Sequence, residues 1–85
     1  MKHSESIITD IMFACSAGEV TTGEYKDCLY RVLEDGTIQF SRKNDFDRWS
    51  NSVMFSLNYL DMLVSGLSVN QVESAIKKLI EIYAD

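Results

Sequence analysis

Residues 32–40 read Val32-Leu33-Glu34-Asp35-Gly36-Thr37-Ile38-Gln39-Phe40, and the choice of fold class depends on them. Taken as two short strands, they form a hairpin signal, because an Asp-Gly pair favours the tight turn of a β-hairpin. As strands, however, both of their faces carry apolar side chains. Residues 22–35 taken as a helix separate an apolar face from a charged face more cleanly. We therefore predict a helix over about 22–35 and keep a β-hairpin at about 28–40 as the alternative.

The residues at the start of this predicted helix favour the same interpretation. Thr21 and Glu24 have the spacing of a capping box, in which the two side chains accept each other's backbone N–H groups. Val20 and Tyr25 are spaced to pack together across the helix start. Residues 36–43 then become a connector, with Ile38 and Phe40 directed into the core.

Three further helices follow from apolar residues at helical spacing. The first covers 4–17 and ends at Gly18, a residue suited to the left-handed stop of a helix. The third begins near Asn44 or Asp45 and runs to about Ser65. The fourth starts after a Ser68–Gln71 capping box and continues to the C-terminus. The apolar stripe of the third helix contains Phe46, Trp49, Val53, Leu57, Leu60 and Val64. The predicted fold is mainly α, a four-helix bundle of two αα-hairpins in a single domain over 1–85.

Composition limits the classes of partner. The 85 residues include 8 Lys and Arg against 13 Asp and Glu, a formal net charge of −5. Nucleic-acid binding draws on clustered basic residues, whereas here they are scattered, so we predict no direct nucleic-acid contact. The polar start lacks the apolar core of a secretory signal and no apolar run reaches membrane-span length, so we expect a cytoplasmic protein without a membrane association. An acidic surface suits a basic protein partner.

Candidate catalytic and metal-binding residues are few. The single histidine, His3, lies near the start of the chain, where a catalytic pairing would require the tail to fold back. Cys15 and Cys28 lack the paired spacing of a metal site, and we interpret them as small core residues, with a bridge between them as the alternative. No glycine-rich phosphate loop or nucleophile elbow is found in the sequence. We predict no enzymatic activity, no metal and no cofactor.

Acidic residues around the predicted start of the third helix are the candidate binding site. Asp45 and Asp47 follow two upstream carboxylates, and aromatic residues lie directly beside them. Aromatic anchors next to charged residues are typical of interface hot spots. The alternative is that these carboxylates are solvated helix ends without a binding role. The predicted partner-binding residues are Glu34, Asp35, Asp45, Phe46, Asp47 and Trp49.

The segment Phe13-Ala14-Cys15-Ser16-Ala17-Gly18-Glu19-Val20-Thr21-Thr22-Gly23-Glu24-Tyr25 resembles the first helical hairpin of colicin D-type immunity proteins. In that family an apolar helix leads through an Ile/Val-Thr turn into a helix carrying Glu-Phe or Glu-Tyr. The resemblance implies a small acidic helical protein that blocks a basic nuclease toxin.

Two functional hypotheses follow. The first is a bacterial or phage-encoded inhibitor, such as an immunity protein or antitoxin, that occludes a basic protein partner. The second is a structural or regulatory helical module that acts through homodimer or subunit contacts, using the broad apolar surface of the third helix.

Overall fold

The chain folds into a four-stranded antiparallel sheet with helices before and after it in sequence. The computed structural model describes residues 4–43 and 53–83. The strands follow one another as a meander, in the order β1-β2-β3-β4. The elements are α1 (Ser4–Ala17), β1 (Thr21–Tyr25), β2 (Cys28–Val32), β3 (Thr37–Arg42), β4 (Val53–Asn58), α2 (Tyr59–Val64) and α3 (Val69–Tyr83). The fold is therefore α+β, and the predicted four-helix bundle is wrong.

One face of the sheet forms the core together with α1 and α3. Tyr30, Phe40 and Phe55 lie opposite one another on β2, β3 and β4, and their rings stack across the strands. The two long helices pack against each other and contribute a line of buried aliphatic side chains to the same cluster. These helical residues include Ile7, Ile11, Val72, Ile76 and Ile80.

The predicted second helix is replaced by β1 and β2. Thr21–Tyr25 is a strand, so the capping box and the helical hairpin predicted there are wrong. The helical interpretation gave no role to Tyr30, whereas strand alternation buries Tyr30 between Cys28 and Val32 on one face. Burial of that ring favours the strand.

The alternative hairpin is the one that the structure contains. β2 and β3 are joined by a turn in which Gly36 takes a φ of 86°, a left-handed conformation that glycine adopts without strain. The Leu33 N–H donates to the Thr37 carbonyl at 2.8 Å, and the Thr37 N–H donates to Asp35 Oδ1 at 3.0 Å. The Gly36 N–H donates to the Leu33 carbonyl at 3.0 Å, and Asp35 does not have a positive φ. The connection is therefore the three-residue loop 34–36, a β-turn followed by a left-handed glycine, and not the two-residue turn that an Asp-Gly pair favours.

The predicted third helix is wrong over residues 53–58 and correct over Tyr59–Val64. Residues 53–58 form β4, and only Tyr59–Val64 is helical. Alternation in β4 directs Phe55 and Leu57 to the core side of the sheet. The stripe at helical spacing is not buried as a unit, since Leu60 and Val64 are 51% and 88% exposed. The first half of that predicted helix, residues 44–52, lies outside the described residues.

The first and fourth predicted helices are confirmed. α1 ends in a Schellman motif, in which Gly18 has a φ of 67° and the N–H groups of Gly18 and Glu19 donate to the carbonyls of Cys15 and Ala14. The start of α3 has the predicted capping box: the Gln71 N–H donates to Ser68 Oγ at 3.1 Å, and the Ser68 N–H donates to Gln71 Oε1 at 2.8 Å.

Candidate functional site

Several acidic side chains lie at one end of the sheet. The register places the start of β1 beside the end of β2, and the start of β3 beside the end of β4. The segments that leave the sheet at this end carry four acidic side chains, all exposed. We define the acidic end by these residues, which are Glu19, Glu34, Asp35 and Asp61. Lys26, Arg42 and Lys43 lie at the opposite end, so the charges of the described residues are distributed unevenly along the strands.

The acidic end is held together by the side chain of Asn58, the last residue of β4. Its Nδ2 donates to the Asp35 carbonyl at 3.1 Å and to Thr37 Oγ1 at 3.2 Å, both in or beside the β2–β3 turn. Its Oδ1 accepts the backbone N–H of Asp61 at 2.9 Å and caps α2. One amide side chain therefore fixes α2 relative to the turn.

The Asp35 carboxylate contributes to the turn as well as to the charge. Its hydrogen bonds from Thr37, first through the side chain and then through the backbone, lower the pKa of Asp35 from its usual value of 3.8. Asp35 therefore stays ionised at neutral pH. Replacement of Asp35 would disturb the turn, so Glu34 and Asp61 are the better probes of charge at this end.

Apolar side chains are exposed beside these carboxylates. Leu60 and Val64 lie four residues apart on α2, so they share one side of that helix. Asp61 lies between them in the sequence. Gly36 in the β2–β3 turn lies against Leu60, because a Cβ on that glycine would come within 3.5 Å of Leu60 Cγ. The acidic end thus combines exposed aliphatic side chains with exposed carboxylates.

The opposite end of the sheet pairs its charges internally. Arg42 forms an ion pair with Asp27, and its Nη2 also donates to the Tyr83 carbonyl at 3.4 Å. Lys43 Nζ lies 3.2 Å from Glu24 Oε2 across the strands. The local charges there are largely balanced, in contrast to those of the acidic end.

Both cysteines are free thiols buried in the core. Burial raises the pKa of Cys15 from 9.0 to about 11. Burial also raises the pKa of Cys28, with a further contribution from the neighbouring Asp27 carboxylate. A thiol with a raised pKa is a poor nucleophile at neutral pH because the thiolate is the reactive form. These positions therefore fit the interpretation of the cysteines as core residues.

We expect the free energy of unfolding to fall as pH rises from about 9 to about 11, by a contribution that Cys15→Ala lacks. The unfolded chain loses the Cys15 proton first, near 9.0, whereas the folded chain retains it to about 11, so rising pH favours unfolding. Urea unfolding of both proteins across this range measures the difference. Cys28 and Tyr30 titrate in both proteins, so their contributions to the pH dependence cancel in the comparison. Parallel pH profiles would contradict the expectation.

Within residues 4–43 and 53–83, no group of three or more His, Cys, Asp or Glu side chains is placed to hold a metal ion. No helix in those same ranges has the length and apolar character needed to cross a membrane.

The structure describes two of the six predicted partner-binding residues. Glu34 and Asp35 are exposed in the β2–β3 turn. Asp45, Phe46, Asp47 and Trp49 lie outside the described residues, and their role stays a prediction. The flanks of that segment, Lys43 and Val53, are at the end of the sheet opposite the turn.

Sequence reasoning did not place Glu19, Leu60, Asp61 and Val64 at the same end of the sheet as the β2–β3 turn. They come together through strand register, which a helical interpretation of residues 22–35 and 53–58 cannot supply. The signal available in the sequence was the Asp35-Gly36 pair, whose hairpin sets that register.

Comparison of the chain with protein-family models, with curated proteins and with solved structures found no match. Function therefore has to be argued from the described geometry.

Proposed function

We propose that this protein binds a basic surface of another protein through its acidic end and inhibits that protein by occlusion. An immunity protein or antitoxin acting on a nuclease toxin, or a phage-encoded inhibitor, would work in this way. The observation that carries the proposal is the exposure of Leu60 and Val64 on the helix that also carries Asp61, at the end of the sheet where Glu34 is exposed too.

The two kinds of side chain would serve different parts of binding. Full burial of an aliphatic side chain contributes roughly 1.5–3 kcal/mol, so Leu60 and Val64 are the groups able to supply affinity. Exposed carboxylates contribute less affinity, but they steer a basic partner and reject an acidic one. The formal net charge of −5 acts in the same direction.

The hydrogen bonds of Asn58 support the proposal because they limit what binding has to order. Since this side chain joins the β2–β3 turn to α2, the backbone of the turn and the backbone of α2 keep their spacing before a partner arrives. Preorganised surfaces lose less conformational entropy on association.

The test is selection of peptides from a random display library on the wild-type protein, followed by affinity measurements on variants. We expect the selected peptides to be enriched in Lys and Arg. We expect Glu34→Lys with Asp61→Lys to weaken their binding by about tenfold or more, with a smaller loss at high salt. Selected peptides without a basic bias would contradict the proposal.

The matched control reverses two charges on α3 instead. Glu73→Lys with Glu81→Lys changes the formal net charge from −5 to −1, as the first pair does, since each reversal adds two units. We expect this control to retain most of the affinity. Equal losses in both double variants would show that net charge, rather than the acidic end, determines binding.

A further inference from the structure

Within residues 4–43 and 53–83, no strand pairs with the outer side of β1. Among the described residues it forms one edge of the sheet, with β2 on its inner side. The Lys43 N–H donates to the Asp27 carbonyl at 2.9 Å, and the Leu33 N–H donates to the Thr37 carbonyl, so odd-numbered residues of β2 bond β3. Even-numbered residues of β2 therefore bond β1. Since Tyr30 is opposite Gly23, the neighbours Thr22 and Glu24 direct their backbone N–H and C=O groups away from the sheet.

A groove runs beside this edge, between α1 and the start of β1. Phe13 and Val20 line it and are 68% and 57% exposed. The exposed side chain of Glu19 lies at this groove as well, and no lysine or arginine is among the described residues that line it. The groove therefore offers apolar contacts and negative charge next to the outward-directed backbone groups of β1.

We propose that the outer edge of β1 binds an extended, lysine- or arginine-containing segment of a partner protein as a fifth strand. Backbone groups of Thr22 and Glu24 would pair with the added strand, while Phe13 and Val20 contact its apolar side chains. The carboxylate of Glu19 complements a basic side chain of the added strand. The inference deepens the proposed function and rests on it for the basic character of the partner, but apart from Glu19 it uses a different set of groups.

The test uses a capped synthetic peptide of about eight residues that alternates Lys and Val. Thr22→Pro removes an outward N–H and leaves the bonds to β2 intact, since proline is accepted on an edge strand where the N–H faces outward. We expect Thr22→Pro to weaken peptide binding by about tenfold, through lost pairing and steric obstruction. Binding to the wild type should slow hydrogen exchange at the Thr22 and Glu24 amides.

Ser56→Pro is the matched control on the other edge strand. Gln39 forms its backbone hydrogen bonds with Arg31 on β2. Ser56, which lies opposite Gln39 on β4, is therefore not hydrogen-bonded to it and directs its N–H outward, as Thr22 does on β1. We expect this variant to bind the peptide as the wild type does. A peptide N-methylated at alternate residues tests the same hydrogen bonds on the unaltered protein, should Thr22→Pro fold poorly, and we expect it to bind about tenfold more weakly.

Three results would overturn the inference. The first is an affinity that neither Thr22→Pro nor N-methylation changes, and the second is an equal loss with Ser56→Pro. The third is a wild-type dimer in sedimentation that Thr22→Pro dissociates, because the occupant would then be a second copy. If Glu34→Lys with Asp61→Lys weakens the library-selected peptides while Thr22→Pro does not weaken the Lys-Val peptide, the proposed function stands and this inference fails. If instead Thr22→Pro weakens the Lys-Val peptide while Glu34→Lys with Asp61→Lys does not weaken the library-selected peptides, the proposed role of the acidic end fails and the inference about the β1 edge stands.

Discussion

Phe40→Ala is expected to lower the free energy of unfolding by about 3–5 kcal/mol, a large share of the stability of a small domain. Phe40 has no exposed surface and lies on β3 at the centre of the core face. Its ring centroid is 5.5 Å from that of Tyr30 and 4.7 Å from that of Phe55. Truncation removes the middle ring of this stack and leaves a cavity bounded by the strands and by the helices packed on them.

Urea unfolding followed by far-ultraviolet circular dichroism measures this loss, and Phe13→Ala is the matched control. Phe13 is the same residue type on α1 but is largely exposed, so its truncation should change stability by no more than about 0.5 kcal/mol. Similar losses for the two variants would contradict the placement of Phe40 in the core.

Gly23→Ala is expected to cost about 1–3 kcal/mol because the new methyl group would overlap the ring of Tyr30. A Cβ at residue 23 would lie 2.4 Å from Tyr30 Oη and 2.5 Å from Cζ. The φ of Gly23 is not in the left-handed region, so backbone conformation does not require glycine there. Without the ring, alanine would stabilise the strand slightly, since it restricts the unfolded chain.

A double-mutant cycle separates the ring from other causes. In a Tyr30→Val background the overlap is absent, and Gly23→Ala should become neutral or slightly stabilising. Tyr30→Phe should give little relief, because the ring carbon that lies 2.5 Å from the position of the added methyl group remains. A full cost of Gly23→Ala in the Tyr30→Val background would show that the cause lies elsewhere.

Sequence reasoning identified the elements with long-range periodicity and local end signals. α1 and α3 were predicted correctly because an apolar stripe coincides with a glycine stop in one and a capping box in the other. The segment 28–33 is ambiguous by contrast: Cys28, Leu29, Val32 and Leu33 fit a helical face, while Cys28, Tyr30 and Val32 fit a strand. Pairing with β3 decides between them, and this tertiary information is absent from a local window.

The sequence pattern did not predict β4, for a related reason. Apolar residues on both sides of the strand resemble a broad helical stripe, and a register shift between Phe40 and Ser41 makes Met54 an extra residue opposite β3. Strict alternation is therefore broken where a sequence pattern would look for it. The candidate site was missed for the same reason, because only the register of β3 and β4 brings Glu34 and Asp61 to the same end of the sheet.

The connectivity of the sheet has a consequence for the order of folding. Each strand pairs with the next strand along the chain, whereas α1 packs on α3 from the other end of the sequence. Pairing of consecutive strands closes short loops and loses little chain entropy, but docking of α1 on α3 closes a much longer one. We therefore expect the four-stranded meander to form first during folding. We expect unfolding to begin with separation of α1 from α3.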